Sequence, residues 1–148
     1  MIRSYTPNDI ETILNIWLNA SVKAHNFIAA DFWDSQIDNM RNIYIPNSET
    51  YIYEIQSKIT GFYSLVDNTL AALFVDPEFQ GQGIGKQLLE HAKSQRSPLN
   101  LTVYKENVSS YQFYLSQGFH LLKEQSDNHT GHIECLMSTN IKNTHPHP

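Results

Sequence analysis

The stretch Phe74-Val75-Asp76-Pro77-Glu78-Phe79-Gln80-Gly81-Gln82-Gly83-Ile84-Gly85-Lys86 decides how the chain folds. It closes a continuous apolar run, Leu70 to Val75, and leads into a segment where Ile84, Leu88, Leu89 and Ala92 share one helical face. The pattern predicts a fully buried strand, a short glycine loop and an amphipathic helix from about Gln82 to Ser94. Glycine allows positive φ and lets backbone approach a ligand closely. Free N–H groups at a helix start, aided by the helix dipole, make an anion cradle. A phosphate or pyrophosphate site over Gln80, Gly81, Gln82, Gly83, Ile84, Gly85 and Lys86 is the expectation. A glycine-rich turn with no ligand is the alternative.

Three phosphate-binding patterns compete for these residues. The Walker A pattern needs Gly at Gln80 and Ser or Thr at Gln87, so it fails twice. The dinucleotide fingerprint G-x-G-x-x-G needs Gly at Lys86 or Leu88 and fails as well. Gln/Arg-x-x-Gly-x-Gly/Ala fits, at Gln80, Gly83 and Gly85.

Working outward, Ile2 to Tyr5 reads as a short strand, and Pro7-Asn8 opens a helix striped by Ile10, Ile13, Leu14, Trp17 and Leu18. A second helical segment runs from Ala30 to about Tyr44 and stops at Pro46-Asn47-Ser48. Trp17 and Trp33 read as core. Tyr51 to Gln56 and Ile59 to Val66 are strands joined at Ser57-Lys58, and Asp67-Asn68 is a further turn. Beyond the glycine loop, Leu99 to Tyr104 is a strand. Asn107 suits the N-cap of a helix reaching Gln117, and Gly118 closes it. Phe119 to about Glu124 and His132 to Met137 complete the order, linked by a polar turn with Asp127-Asn128 and Gly131. The expected class is α/β (α+β), one domain over residues 1–138. Thr139 to Pro148 is expected to be a loose tail; its His145-Pro146-His147 offers at most half a metal site, so no metal is expected.

Composition narrows the function. The 148 residues carry 10 Lys+Arg against 15 Asp+Glu, a formal charge of −5, so the basic face that nucleic acid or an anionic membrane needs is not expected. Hydrophobic residues at 41% and charged residues at 17% suit a globular domain. The single Cys135 rules out an internal disulfide framework and reads as a small buried hydrophobe. No apolar run reaches membrane-span length and Met1-Ile2-Arg3-Ser4-Tyr5 lacks a signal-peptide core, so the expected location is the cytoplasm.

With these segments in order, the chain resembles the GNAT N-acetyltransferase superfamily, and most of all its small bacterial YjaB-like members. The likeness spans nearly the whole chain before the tail. It rests on LFVDPEFQGQGIG at 73–85 and NVSSYQFYLSQGF at 107–119. The second matches the family's Asn-x-x-Ala-x-x-Phe-Tyr-x-x-x-Gly-Phe block with Ser110 for Ala. A weaker match lies at Lys23-Ala24-His25-Asn26-Phe27-Ile28, where relatives often have His-Asp-Phe.

The resemblance implies a mixed, mostly antiparallel sheet flanked by about four helices. It also implies acetyl transfer from acetyl-CoA to a primary amine of a small molecule or peptide, with no metal, by a monomer or homodimer. The Gln80–Lys86 loop would hold the CoA pyrophosphate. Backbone at Phe74 and Val75 would bond the pantetheine arm and polarise the thioester carbonyl. Asn107 would touch that arm, or serve as a plain N-cap, or both. Tyr114 would protonate the departing thiolate; packing of an aromatic helix face is its other reading. Many relatives carry an acid where this chain has Ala71, which leaves three readings: a base from elsewhere (His25, Glu54 or Asp67), a water chain, or a substrate amine of low enough pKa to need little help. His25 could instead simply cap the first helix. His25, Phe27 and Tyr53 are expected to wall the acceptor pocket. The rival functions are a non-catalytic acyl-CoA-binding sensor or interaction module on the same fold, and a pure protein-interaction domain with an empty glycine loop.

Overall fold

The computed structural model describes residues 1–140. Chain order is β1 (Ile2–Ser4), α1 (Ile10–Ala24), α2 (Ala30–Asn39), β2 (Glu49–Ile55), β3 (Lys58–Val66), β4 (Thr69–Val75), α3 (Ile84–Gln95), β5 (Asn100–Tyr104), α4 (Val108–Ser116), β6 (His120–Ser126) and β7 (Ile133–Ser138). The strands form one sheet in the order β1-β2-β3-β4-β5-β7-β6. The β4–β5 pair is parallel and its neighbours are antiparallel. This is the mixed, mostly antiparallel sheet that the resemblance implies, and no described helix is long and apolar enough to cross a membrane.

Helical stripes decide which face each helix covers. Ile13, Trp17 and Trp33 bury the α1–α2 layer against Ile52 and Phe62. Leu88, Leu89 and Ala92 bury α3 against Tyr63, Leu101 and Met137 on the opposite face. Trp17 and Trp33 are core as expected, meeting edge to face at 5.8 Å. Cys135 is buried. Helix α2 does not continue unchanged to Tyr44. It widens into a π-turn over Met40–Tyr44, where the Ile45 N–H reaches back to the Met40 carbonyl at 3.0 Å. Thr139 and Asn140, read from sequence as tail, are tied to the sheet: Thr139 bonds Leu99 through its N–H and accepts the Leu99 N–H on Oγ1. His145 and His147 lie outside the described residues.

The important correction concerns β4. Its apolar run is not a fully buried strand: Ala71 is exposed and Ala72 through Val75 are only half-buried. Two features cause this. Ser64 pairs with Ala72 and Leu65 with Leu70, so Ala71 is an extra, bulged residue that bends the strand. On its other edge β4 meets β5 only at Thr69↔Asn100, and the two strands then diverge. The side chains that looked like core line the gap instead.

Candidate active site

The divergence opens a cavity of about 940 Å³, at the upper end of the roughly 300–1,000 Å³ usual for small-molecule sites. It runs from the glycine loop, past Phe74 and Val75, to Tyr104 on β5 and Tyr114 on α4.

At the loop end, the Gln80 side chain donates to the Val75 carbonyl at 3.1 Å and accepts from Lys23 Nζ at 3.2 Å. It therefore pins the loop both to β4 and to the end of α1. Gly81 and Gly83 both sit at φ +83°, and a Cβ at either would meet nothing within 4 Å. Backbone conformation, not crowding, is what requires glycine there. Gly83 caps α3 without a side-chain partner, and the first intrahelical bond is Gln87 N–H to the Gly83 carbonyl at 3.1 Å. The N–H groups of the turn before it have no partner within the helix. Lys86 adds an exposed cation on that turn, while Gln82 faces solvent. This arrangement suits a diphosphate. Along the middle, the β4 edge freed from β5 leaves extended backbone able to bond an amide-bearing arm as another strand would.

Tyr114 stands in the cavity wall, its ring against Phe113 at 5.3 Å and edge-on to Phe119 at 5.5 Å. Its packing and its access to the cavity thus coexist. Burial pushes its phenol well above the ordinary tyrosine value, so it holds its proton at neutral pH. Among the described residues its hydroxyl has no hydrogen-bond partner.

His25 follows α1, where its N–H bonds the Ser21 carbonyl at 2.9 Å, and only 8% of the residue is exposed. Asn107 caps α4, Oδ1 accepting from the Ser110 N–H at 3.4 Å, which turns its amide nitrogen to His25 Nε2 at 3.2 Å. The network therefore makes Nε2 an acceptor and leaves the ring proton on Nδ1. Nδ1 is buried without a well-formed hydrogen bond, near the Ser21 carbonyl. Burial outweighs that carbonyl and brings the imidazole down to about 4, so the ring is neutral at pH 7. The His25–Asn107 bond spans the cleft from the end of α1 to the start of α4.

The structure brings His25, Asn107, Tyr114, Phe74, Val75 and most of the loop to one cavity. Phe27 lies just behind, its ring 5.7 Å from Tyr104 and 5.8 Å from His25. Tyr53 does not join them. It packs on the α3 face and its hydroxyl donates to Gln87 Oε1 at 3.1 Å. Glu54 is held by Arg3 at 3.1 Å and Asp67 occupies a left-handed turn position, both away from the cavity, so of the three proposed bases only His25 lines it. Sequence reading missed Tyr104, Asp127 and Glu134, which also line it. Tyr104 ends the very strand that splays from β4, a signal that could have found it. Asp127 read only as a turn residue.

The family model "Acetyltransferase (GNAT) domain" matches residues 3–137. The peptidyl-lysine N-acetyltransferase YiaC of Escherichia coli K12 is 35% identical over 123 residues, covering 82% of this chain and 84% of YiaC. The peptidyl-lysine N-acetyltransferase YjaB of the same strain is 27% identical, covering 80% of each chain. The solution structure of apo YjaB from Escherichia coli superposes with a TM-score of 0.83 at 25% identity, over 94% of this chain and 96% of that one. A Thermoplasma acidophilum PaiA N-acetyltransferase in complex with coenzyme A shares the fold, with a TM-score of 0.76 at 21% identity, over 93% and 96% of the two chains.

Proposed function

Since the chain belongs to the GNAT acetyltransferase family, we propose that it moves an acetyl group from acetyl-CoA to a primary amine, with both substrates held in one cavity. The observation that carries this reading is the continuity of that cavity from the glycine loop through the β4–β5 gap to the aromatic wall at Tyr104. The acceptor we favour is a lysine side chain of a peptide, as the names of YiaC and YjaB suggest.

In this reading the backbone N–H groups from Gln80 to Lys86 grip the diphosphate, helped by the helix dipole and the Lys86 ammonium. Freed backbone at Phe74 and Val75 orients the pantetheine arm and turns an N–H toward the thioester carbonyl. Tyr114, protonated and with its hydroxyl unpartnered among the described residues, gives its proton to the sulfur as the C–S bond breaks. His25 has its lone pair occupied by Asn107, and an imidazole near 4 is about six units less basic than a free lysine amine at ~10.4. Its part is to hold the cleft's two sides in register, and the amine proton leaves through water at the open end.

The test is thiol release from acetyl-CoA with an Nα-blocked lysine peptide and a panel of small amines. Release with at least one amine is expected. Binding of acetyl-CoA without release to any of them would favour a sensor, and no rise in melting temperature with acetyl-CoA would end both readings. Gly83→Val should weaken coenzyme A binding at least ~10-fold, because a β-branched residue resists positive φ; unchanged calorimetric affinity would contradict the loop's role.

A further inference from the structure

Tyr104 and Asp127 form a pair that the mechanism above does not use. The Tyr104 hydroxyl donates to Asp127 Oδ2 at 2.6 Å, and both residues line the cavity, Tyr104 packing on the α1–α2 face of the sheet, opposite the face that α3 covers. Asp127 also accepts from Thr130 Oγ1 at 2.8 Å and from the His129 N–H at 3.2 Å. Burial alone would raise its carboxyl, but these donors bring it below the usual range, so it is an anion with acceptor atoms only. The proton in the 2.6 Å contact therefore belongs to Tyr104, and burial together with the carboxylate holds that phenol well above its ordinary value. With its own proton committed to Asp127, the phenol oxygen has only lone pairs left to offer.

Three neighbouring rings brace the Tyr104 ring. His25 lies edge-on at 5.2 Å, Phe27 at 5.7 Å and His132 at 6.4 Å. His132 is itself held by Glu106 at 2.8 Å. The charged or titratable groups around the pair are His25 from the end of α1, Glu134 and His132 from β7 and its approach, and His129 in the turn. Glu134, engaged by Gln125 at 2.6 Å, adds a second carboxylate to the same wall. The result is an acceptor-only oxygen with negative charge behind it, set beside the rings of His25 and Phe27.

We propose that Tyr104, backed by Asp127, is the seat for the acceptor's amino group, its phenol oxygen accepting an N–H bond from the incoming alkylammonium or amine. The seat selects a hydrogen-bond donor with positive charge and turns its nitrogen toward the thioester. Tyr104 is a substrate-binding residue and Asp127 a positioning residue that acts through it. This rests on the proposed acetyl-transfer reading and deepens it.

The test uses the full chain with coenzyme A bound, so that no turnover occurs. Titration calorimetry follows an Nα-blocked lysine peptide, the same peptide with norleucine for lysine, and n-butylamine. Tyr104→Phe keeps the ring and its contacts, so it reports on the seat even if Asp127→Asn disturbs the turn. Both variants should weaken the lysine peptide and butylamine about 10- to 100-fold and leave the norleucine peptide and coenzyme A unchanged. In turnover, KM for the amine should rise with a smaller change in kcat, and a fluoroalkylamine already neutral at the assay pH should be spared by Asp127→Asn. Wild-type protein that binds neither cationic probe, or a folded Tyr104→Phe protein that binds both as wild type does, overturns the seat. Wild-type protein that binds the lysine peptide but releases no thiol from acetyl-CoA leaves the seat standing and removes the transferase reading.

Discussion

Toward β3, strand β4 stays paired from Val66↔Thr69 to Gly61↔Val75, interrupted only by the bulge at Ala71; toward β5 it meets a partner only at Thr69. The same side chains border both edges. On the zipped edge, backbone groups satisfy one another and the strand is part of the frame. On the open edge they face a cavity, and apolar residues that would have made core become walls. The cavity sits on the open edge and cohesion on the zipped one, so under the proposed function substitutions at the two edges should fail in different ways.

The largest effect is expected at the open edge. Tyr114→Phe should lower kcat about 10²- to 10⁴-fold if the phenol is the acid, with coenzyme A affinity and melting temperature nearly unchanged. Equal loss of kcat and affinity, or no loss, would blur the contrast, because it would make Tyr114 a packing residue.

His25, which ties the two sides of the gap, should show itself through pH. Its imidazole is near 4 when folded and ~6.5 when unfolded. The unfolded chain therefore binds the extra proton between those values, so stability is full above ~6.5 and falls as pH drops toward 4. The loss approaches about 3 kcal/mol. Urea unfolding at pH 7 and pH 4.5 should show this fall, and His25→Gln should remove most of it. A wild-type curve flat over that window would mean the ring is not buried as described.

The smallest effect is expected on the zipped edge. A Cβ at Gly61 would lie 3.0 Å from the Phe74 carbonyl oxygen and 3.1 Å from Leu88 Cδ1. Gly61→Val should cost about 1–3 kcal/mol of stability, while protein that remains folded keeps its kcat. A large kcat loss without destabilisation would show that the two edges are not separable.

Much of this frame was legible locally. The stripe Ile84, Leu88, Leu89 and Ala92 makes α3, and Gly81 and Gly83 mark positive φ, because both are properties of near neighbours in the chain. Asn107 and Gly118 marked the ends of α4 for the same reason. Of the residues singled out from sequence, most of the loop, Phe74, Val75, Asn107, His25 and Tyr114 meet at one cavity. The burial of His25 is not written locally, because it depends on Phe27, Trp33 and Tyr104 closing around it. Tyr53 looked like pocket, but strand alternation placed it on the α3 face.

Sequence alone determined the order of elements, the glycine loop and the family pattern, since each is written in spacings of a few residues. Tertiary structure alone decided that β4 and β5 part after one pair, that His25 is neutral and locked to Asn107, and that Tyr104 meets Asp127 across 23 positions. Those outcomes depend on which distant strands share an edge and how much water is left between them, and no local run of residues encodes that.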